Sequence, residues 1–132
     1  MTIHGPLEID DDELNNCSVV MTVKYSDFSV LFTGDAETMA EKKIIDNGTD
    51  ISCDVLKVGH HGSSTASCDK FLDAANPSVA VISCEKSNSY GHPSSEVLSA
   101  LAERGAEYYL TCERGNVTIL SDGKNFNVEC EK

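Results

Sequence analysis

The chain has 132 residues, of which 40% are hydrophobic and 24% charged, an ordinary globular composition sized for one domain. Ten lysines and arginines against 22 aspartates and glutamates give a formal charge of −12, which excludes a broad electrostatic hold on nucleic acid; an anionic ligand would need a local cation such as a bound metal. The longest apolar runs, such as Val79–Ile82, fall far short of the roughly 20 residues a bilayer demands, and the acidic N-terminus lacks the pattern of a signal peptide, so the chain reads as soluble as it stands.

In chain order, residues 1–16 are acidic and aperiodic, with Glu8, Asp10, Asp11, Asp12 and Glu13, and read as a leading segment or loop ahead of a domain over 17–132. From Val19 the chain alternates through Met21, Val23 and Tyr25, turns at Ser26 and Asp27, and resumes in Phe28, Val30 and Phe32, which predicts a β-hairpin. Its second strand runs into Thr33, Gly34 and Asp35. A helix follows from about Glu37 to Asp46, stopped by Asn47 and Gly48.

Asp54 to Gly59 reads as a short buried strand opening into His60, His61, Gly62 and Ser63. Ser67 can cap a helix through Ala74 that Asn76 and Pro77 end, and Ser78 to Ser83 is another buried strand. After a polar loop, Pro93 suits the first position of a helix with Val97, Leu98 and Leu101 as its apolar stripe and Gly105 as its stop. Strand patterns then recur through Tyr108 and Leu110, and, after a turn at Arg114 and Gly115, in Val117, Ile119, Phe126 and Val128. The interleaving of strands and helices predicts an α/β layer.

The six cysteines, at 17, 53, 68, 84, 112 and 130, form no CxxC pair or zinc-knuckle spacing. Several lie in apolar stretches, where free thiols act as small hydrophobes, which suits a reducing setting.

Asp35, the pair His60 and His61, and His92 all lie just beyond a strand or in the loop leaving one, where open α/β sheets gather their sites. Carboxylate oxygen and imidazole nitrogen are ligands that zinc and manganese accept. Taken singly, Asp35 also suits a turn former or helix cap, and His92, before Pro93, suits a cap. Two adjacent histidines ahead of Gly62 are harder to explain structurally, because a glycine there permits a turn sharp enough to bring both rings toward one point.

The stretches NNCSVVMTVKYSDFSVLFTGD (15–35), DVLKVGHHGSS (54–64) and NSYGHP (88–93) resemble the C-terminal half of the metallo-β-lactamase domain of ComEC-type competence proteins, over roughly residues 15–121. The order and spacing of GDAE, KVGHHGS and SYGHP carry the likeness. The resemblance implies one half of an αββα sandwich, a mixed β-sheet with helices on one face, and one or two zinc or manganese ions in the complete domain. It implies Asp35 and His60 or His61 as metal ligands, His61 and His92 at the reacting phosphate, and Ser63 as an added hydroxyl. The implied activity is hydrolysis of DNA phosphodiesters during uptake, in a parent protein that is membrane-anchored with this domain outside the cytoplasmic membrane, or otherwise cytoplasmic.

One departure stands against that pattern: the family's His-x-His/Asp-x-Asp-His run is absent. A catalytic zinc usually takes three protein ligands, so the chain alone is expected to be inactive and to need the N-terminal half of the domain as partner. The sheet face left open would favour self-association into a homo-oligomer. Hydrolysis of a small ester, thioester or lactone, and a noncatalytic metal-binding or assembly module, are the competing expectations.

Overall fold

The computed structural model describes residues 1–9 and 11–132; Asp10, in the acidic leading segment, lies outside the described residues. Six strands form one mixed sheet: β1 (Thr2–Gly5), β2 (Val20–Tyr25), β3 (Phe28–Phe32), β4 (Val55–Lys57), β5 (Val79–Ile82) and β6 (Glu107–Leu110), side by side in chain order. β1, β2 and β3 pair antiparallel, whereas β3 to β6 run parallel. Three helices, α1 (Thr38–Asp46), α2 (Asp69–Ala75) and α3 (Ser95–Glu103), make the crossovers between parallel strands. A one-turn helix, α4 (Thr111–Arg114), leads into a hairpin of β7 (Val117–Ser121) and β8 (Phe126–Cys130). This bears out the expected α/β layer with a mixed sheet.

Strand alternation sorts the side chains into two layers. Val20, Leu31, Leu56, Ala80 and Ile82 face the helices and pack with Ile44, Phe71, Leu72, Val97 and Leu101, all of them nearly inaccessible to solvent. On the opposite face Phe28, Val55 and Val79 are covered by Ile119, Phe126 and Val128 of the β7–β8 hairpin. The hairpin meets the β2–β3 turn through Gly123 but leaves most of the β1–β2 face open. There Ile3, Val23 and Tyr25 stay 63%, 39% and 61% exposed, with Phe32 beside them at 37%, an open apolar strip on the sheet.

Several boundaries differ from the sequence expectation. Residues 1–16 are not simply a loop: Thr2–Gly5 add to the sheet edge, with Thr2 opposite Thr22 and Ile3 opposite Met21, and Leu14–Cys17 make a 3-10 turn. Four residues are too few to show alternation, and pairing with β2 decides their state. His4 is therefore buried at 4% exposure, with Nε2 2.8 Å from the Thr22 hydroxyl, and is no part of a free leader. α3 begins at Ser95 and not at Pro93, and Ser94 caps it, its side chain accepting the Val97 N–H at 3.3 Å. Ser67 is not the cap of α2, which Cys68 precedes directly.

The Ser67 and Cys68 N–H groups instead donate to the Glu41 carboxylate, at 2.6 and 2.9 Å. Glu41 is 1% exposed, and it fastens α1 to the chain between the histidine turn and α2. Burial pushes its carboxyl above the usual range, and the two N–H groups pull the other way. The folded chain thus binds the Glu41 proton more readily than the unfolded chain does. Its contribution to stability is full below the unfolded carboxyl range, about pH 4.3, and is lost as pH rises through the higher folded value. Denaturant unfolding of wild type and Glu41→Gln across pH 4–8 (roughly the span between ordinary carboxyl and histidine titration) should show wild type losing stability relative to the variant as pH rises. A constant difference would contradict this.

Candidate functional site

The site forms at the carboxyl ends of β3, β4 and β5, where three loops converge. After β3 the chain makes a tight turn: Gly34 has φ +54°, the Ala36 N–H donates to the Thr33 carbonyl at 3.1 Å, and the Asp35 N–H donates to the Ser18 hydroxyl at 3.1 Å. Thr33 is buried, and its hydroxyl donates to the Lys57 carbonyl at 2.8 Å, tying the ends of β3 and β4 together. The Asp35 carboxylate stays about half exposed at the rim.

After β4, His60 and His61 both take left-handed backbone conformations, with φ of 46° and 55°. Such conformations are rare for side-chain-bearing residues and are held here by hydrogen bonds. The His60 N–H donates to the Gly34 carbonyl at 3.0 Å, the Ser63 N–H to the His60 carbonyl at 2.9 Å, and the Ser94 N–H to the Gly62 carbonyl at 2.8 Å. Gly62 lets the third loop approach, since a Cβ there would lie 2.6 Å from that of Pro93. This is the sharp turn that the glycine after two histidines predicted.

His61 Nδ1 lies 2.9 Å from the Ser83 carbonyl oxygen, which can only accept, so Nδ1 carries a proton and, in the neutral ring, Nε2 presents a lone pair. That Nε2 is 3.7 Å from Asp35 Oδ1. His60 Nδ1 is 3.0 Å from Glu37 Oε1, which also accepts from Thr65 Oγ1 at 2.9 Å and Asn15 Nδ2 at 3.2 Å. His92 sits over His60, with ring centroids 5.6 Å apart, and Tyr90 stacks on it at 5.8 Å while remaining 81% exposed. The Asn88 side chain grips both the N–H and the carbonyl of His92. Together His61, Asn88, Tyr90 and His92 line a pocket of about 220 Å³.

The structure thus gathers Asp35, His60, His61 and His92. Ser63 is placed differently: it is 4% exposed and its hydroxyl lies 3.0 Å from that of Thr65, bracing the loop. Glu37, Thr65 and Asn88 hold the histidines and were not singled out from sequence, although Glu37 closes the GDAE motif. Lys57 is mostly buried near Asp35; desolvation lowers its ammonium, and the Asp35 charge opposes that.

Two donors bound at about 2.1 Å to one tetrahedral zinc stand roughly 3.4 Å apart, so Asp35 Oδ1 and His61 Nε2 suit a shared ion. Among the described residues, however, no group of three or more histidine, cysteine, aspartate or glutamate side chains is arranged to hold a metal. Asp35 and His61 are two donors, short of the three protein ligands that a catalytic zinc usually takes.

No protein-family model matches the chain. It is similar to ComE operon protein 3 of Bacillus subtilis, 34% identical over 86% of the chain and 15% of that protein. It is also similar to competence protein ComA of Neisseria gonorrhoeae, 36% identical over 78% of the chain and 15% of that protein, and to recombination protein 2 of Haemophilus influenzae, 36% identical over 80% and 13%. These homologues support a competence-protein family, and the chain spans about one seventh of the length of the relatives it matches. No helix among the described residues is long and apolar enough to cross a membrane.

The approach of the third loop to the histidine turn gives a direct test. Gly62→Ala, with φ +80° and the Pro93 contact, should cost about 2 kcal/mol or more in denaturant unfolding. Gly48→Ala, with φ +73° but nothing within 4 Å of its Cβ, should cost about 1 kcal/mol. Equal losses would show that Gly62 is not needed for the approach.

Proposed function

We propose that this chain is the C-terminal half of a metallo-β-lactamase-type domain in a competence protein, and that it supplies part of a site for metal-dependent hydrolysis of DNA phosphodiesters. The observation that carries the reading is the approach of Asp35 Oδ1 to the lone-pair nitrogen of His61 at 3.7 Å, with His60 and His92 beside them. The competence names of the homologues support DNA uptake as the setting.

Asp35 and His61 would hold zinc or manganese with further ligands from the missing half, and the ion would lower the pKa of water and neutralise charge on the phosphate. Asp35 is then a ligand and not the base. Glu37 orients His60, as carboxylates beside metal-site histidines commonly do. His92, gripped by Asn88, would contact a phosphate oxygen or donate a proton to the leaving oxygen. A local cation also reconciles a charge of −12 with an anionic substrate. The open strip of Ile3, Val23, Tyr25 and Phe32 supports a missing half that covers this face of the sheet.

A second reading, a noncatalytic metal-binding or assembly module, is favoured by the shortfall of ligands among the described residues. Zinc and manganese titration of the chain, alone and supplemented with the N-terminal half from a relative, separates the two when followed by assay on a phosphodiester and on a simple ester. Hydrolysis of the phosphodiester by the supplemented chain, lost in Asp35→Ala and in His61→Ala, is the expected result. Glu37→Ala, which frees His60 and neither proposed ligand, should weaken metal binding far less than Asp35→Ala or His61→Ala does. Metal binding without turnover would favour the module, and unchanged binding in Asp35→Ala and His61→Ala would refute the site.

A further inference from the structure

Of the six cysteines, the structure brings Cys84 and Cys112 together, with their sulfurs 3.2 Å apart. The fold explains the meeting. Ile82 pairs with Leu110 across the parallel strands β5 and β6, so the residues two positions further along each chain emerge side by side. Neighbouring strands are spaced about 4.8 Å apart, so the segments that leave β5 and β6 start close together, as a disulfide, with its Cα atoms about 4.4–6.8 Å apart, requires. Thr111 pins the two segments: its hydroxyl accepts the Cys84 N–H at 3.0 Å and lies 3.2 Å from the Cys84 carbonyl oxygen. Both thiols are partly accessible. Cys53, by contrast, is buried, with its thiol pushed up to about 12 by desolvation; the Cys112 thiol is raised too, chiefly by its hydrogen bond to Cys84, but that residue stays partly accessible.

We propose that Cys84 and Cys112 are a site of reversible oxidative modification that forms an intramolecular disulfide by exchange with small-molecule disulfides. One protein thiolate attacks the small disulfide, whose S–S bond breaks and releases one small thiolate. The neighbouring protein thiol loses its proton and attacks the mixed disulfide, a protein S–S bond forms, and the second small thiolate leaves. The protein dithiol is oxidised and the small disulfide is reduced to two thiols. Because Cys84 follows Ser83, whose carbonyl holds His61, and opens the loop that carries Asn88, Tyr90 and His92, the bond fixes the root of that loop to α4. This inference does not depend on the metal reading.

The test is equilibration of the full chain in reduced and oxidised glutathione mixtures, followed by alkylation and peptide mapping, with the rate of tryptic cleavage after the exposed Lys86 as a second readout. A linked Cys84–Cys112 peptide, with the other four cysteines still open to alkylation after denaturation, is expected in oxidising mixtures and should vanish on reduction. Cleavage after Lys86 should slow several-fold on oxidation of wild type and stay unchanged in Cys112→Ser. Glutathione adducts persisting on both residues, linkage spread over other pairs, or no linked peptide at all would each overturn the proposal, irrespective of how the variant folds.

Discussion

Everything at the candidate site depends on two consecutive histidines being held in left-handed backbone conformations directly after a buried strand. Each such residue costs of order 1–3 kcal/mol and persists only where its surroundings enforce it. Here the enforcement comes from both sides: His60 is tied to the β3 turn through the Gly34 carbonyl, and Gly62 and His61 are tied to the third loop through Ser94 and Ser83. A relaxed backbone would swing one ring away from Asp35. The strain is thus spent on a geometry in which both imidazoles face one rim, next to a carboxylate that is otherwise half in water.

The rest of the fold serves that turn. The parallel strands β3, β4 and β5 deliver three loops to one edge, and the helix-side core of Leu31, Leu56, Ala80 and Ile82 fixes their height. Glu41 adds a buried clamp between α1 and the segment leading into α2. A fully buried carboxylate is a costly clamp, but two backbone N–H groups would otherwise lack partners in the same place. The far face of the sheet is less finished. The β7–β8 hairpin covers Phe28, Val55 and Val79 and leaves Ile3, Val23 and Tyr25 open, an asymmetry that a chain spanning one seventh of its relatives' length can carry if other segments pack there.

Much of this was legible in the residues. The β2–β3 hairpin, the buried runs of β4 and β5 and the apolar stripe of α3 follow from period and turn chemistry alone, and Gly62 after two histidines announced the sharp turn. What escaped was decided by pairing and packing. β1 is too short to show a period, and only the edge offered by β2 makes it a strand. Glu37 at a helix start looks like an ordinary acidic first turn, so its place beside His60 is visible only in three dimensions. Ser63, which the resemblance offered as an added hydroxyl, is buried by the turn's own geometry. Cys84 and Cys112, 28 positions apart, meet only because β5 and β6 are neighbours.

The most direct measurement of the histidine arrangement is nitrogen-15 resonance spectroscopy of the imidazole rings, with zinc added stepwise to wild type and to Asp35→Ala. His61 protonated at Nδ1, with its bare Nε2 shifting on zinc addition only while Asp35 is present, is the predicted result. A His61 ring protonated at Nε2, or one that responds to zinc identically without Asp35, would contradict the pairing on which the site is built.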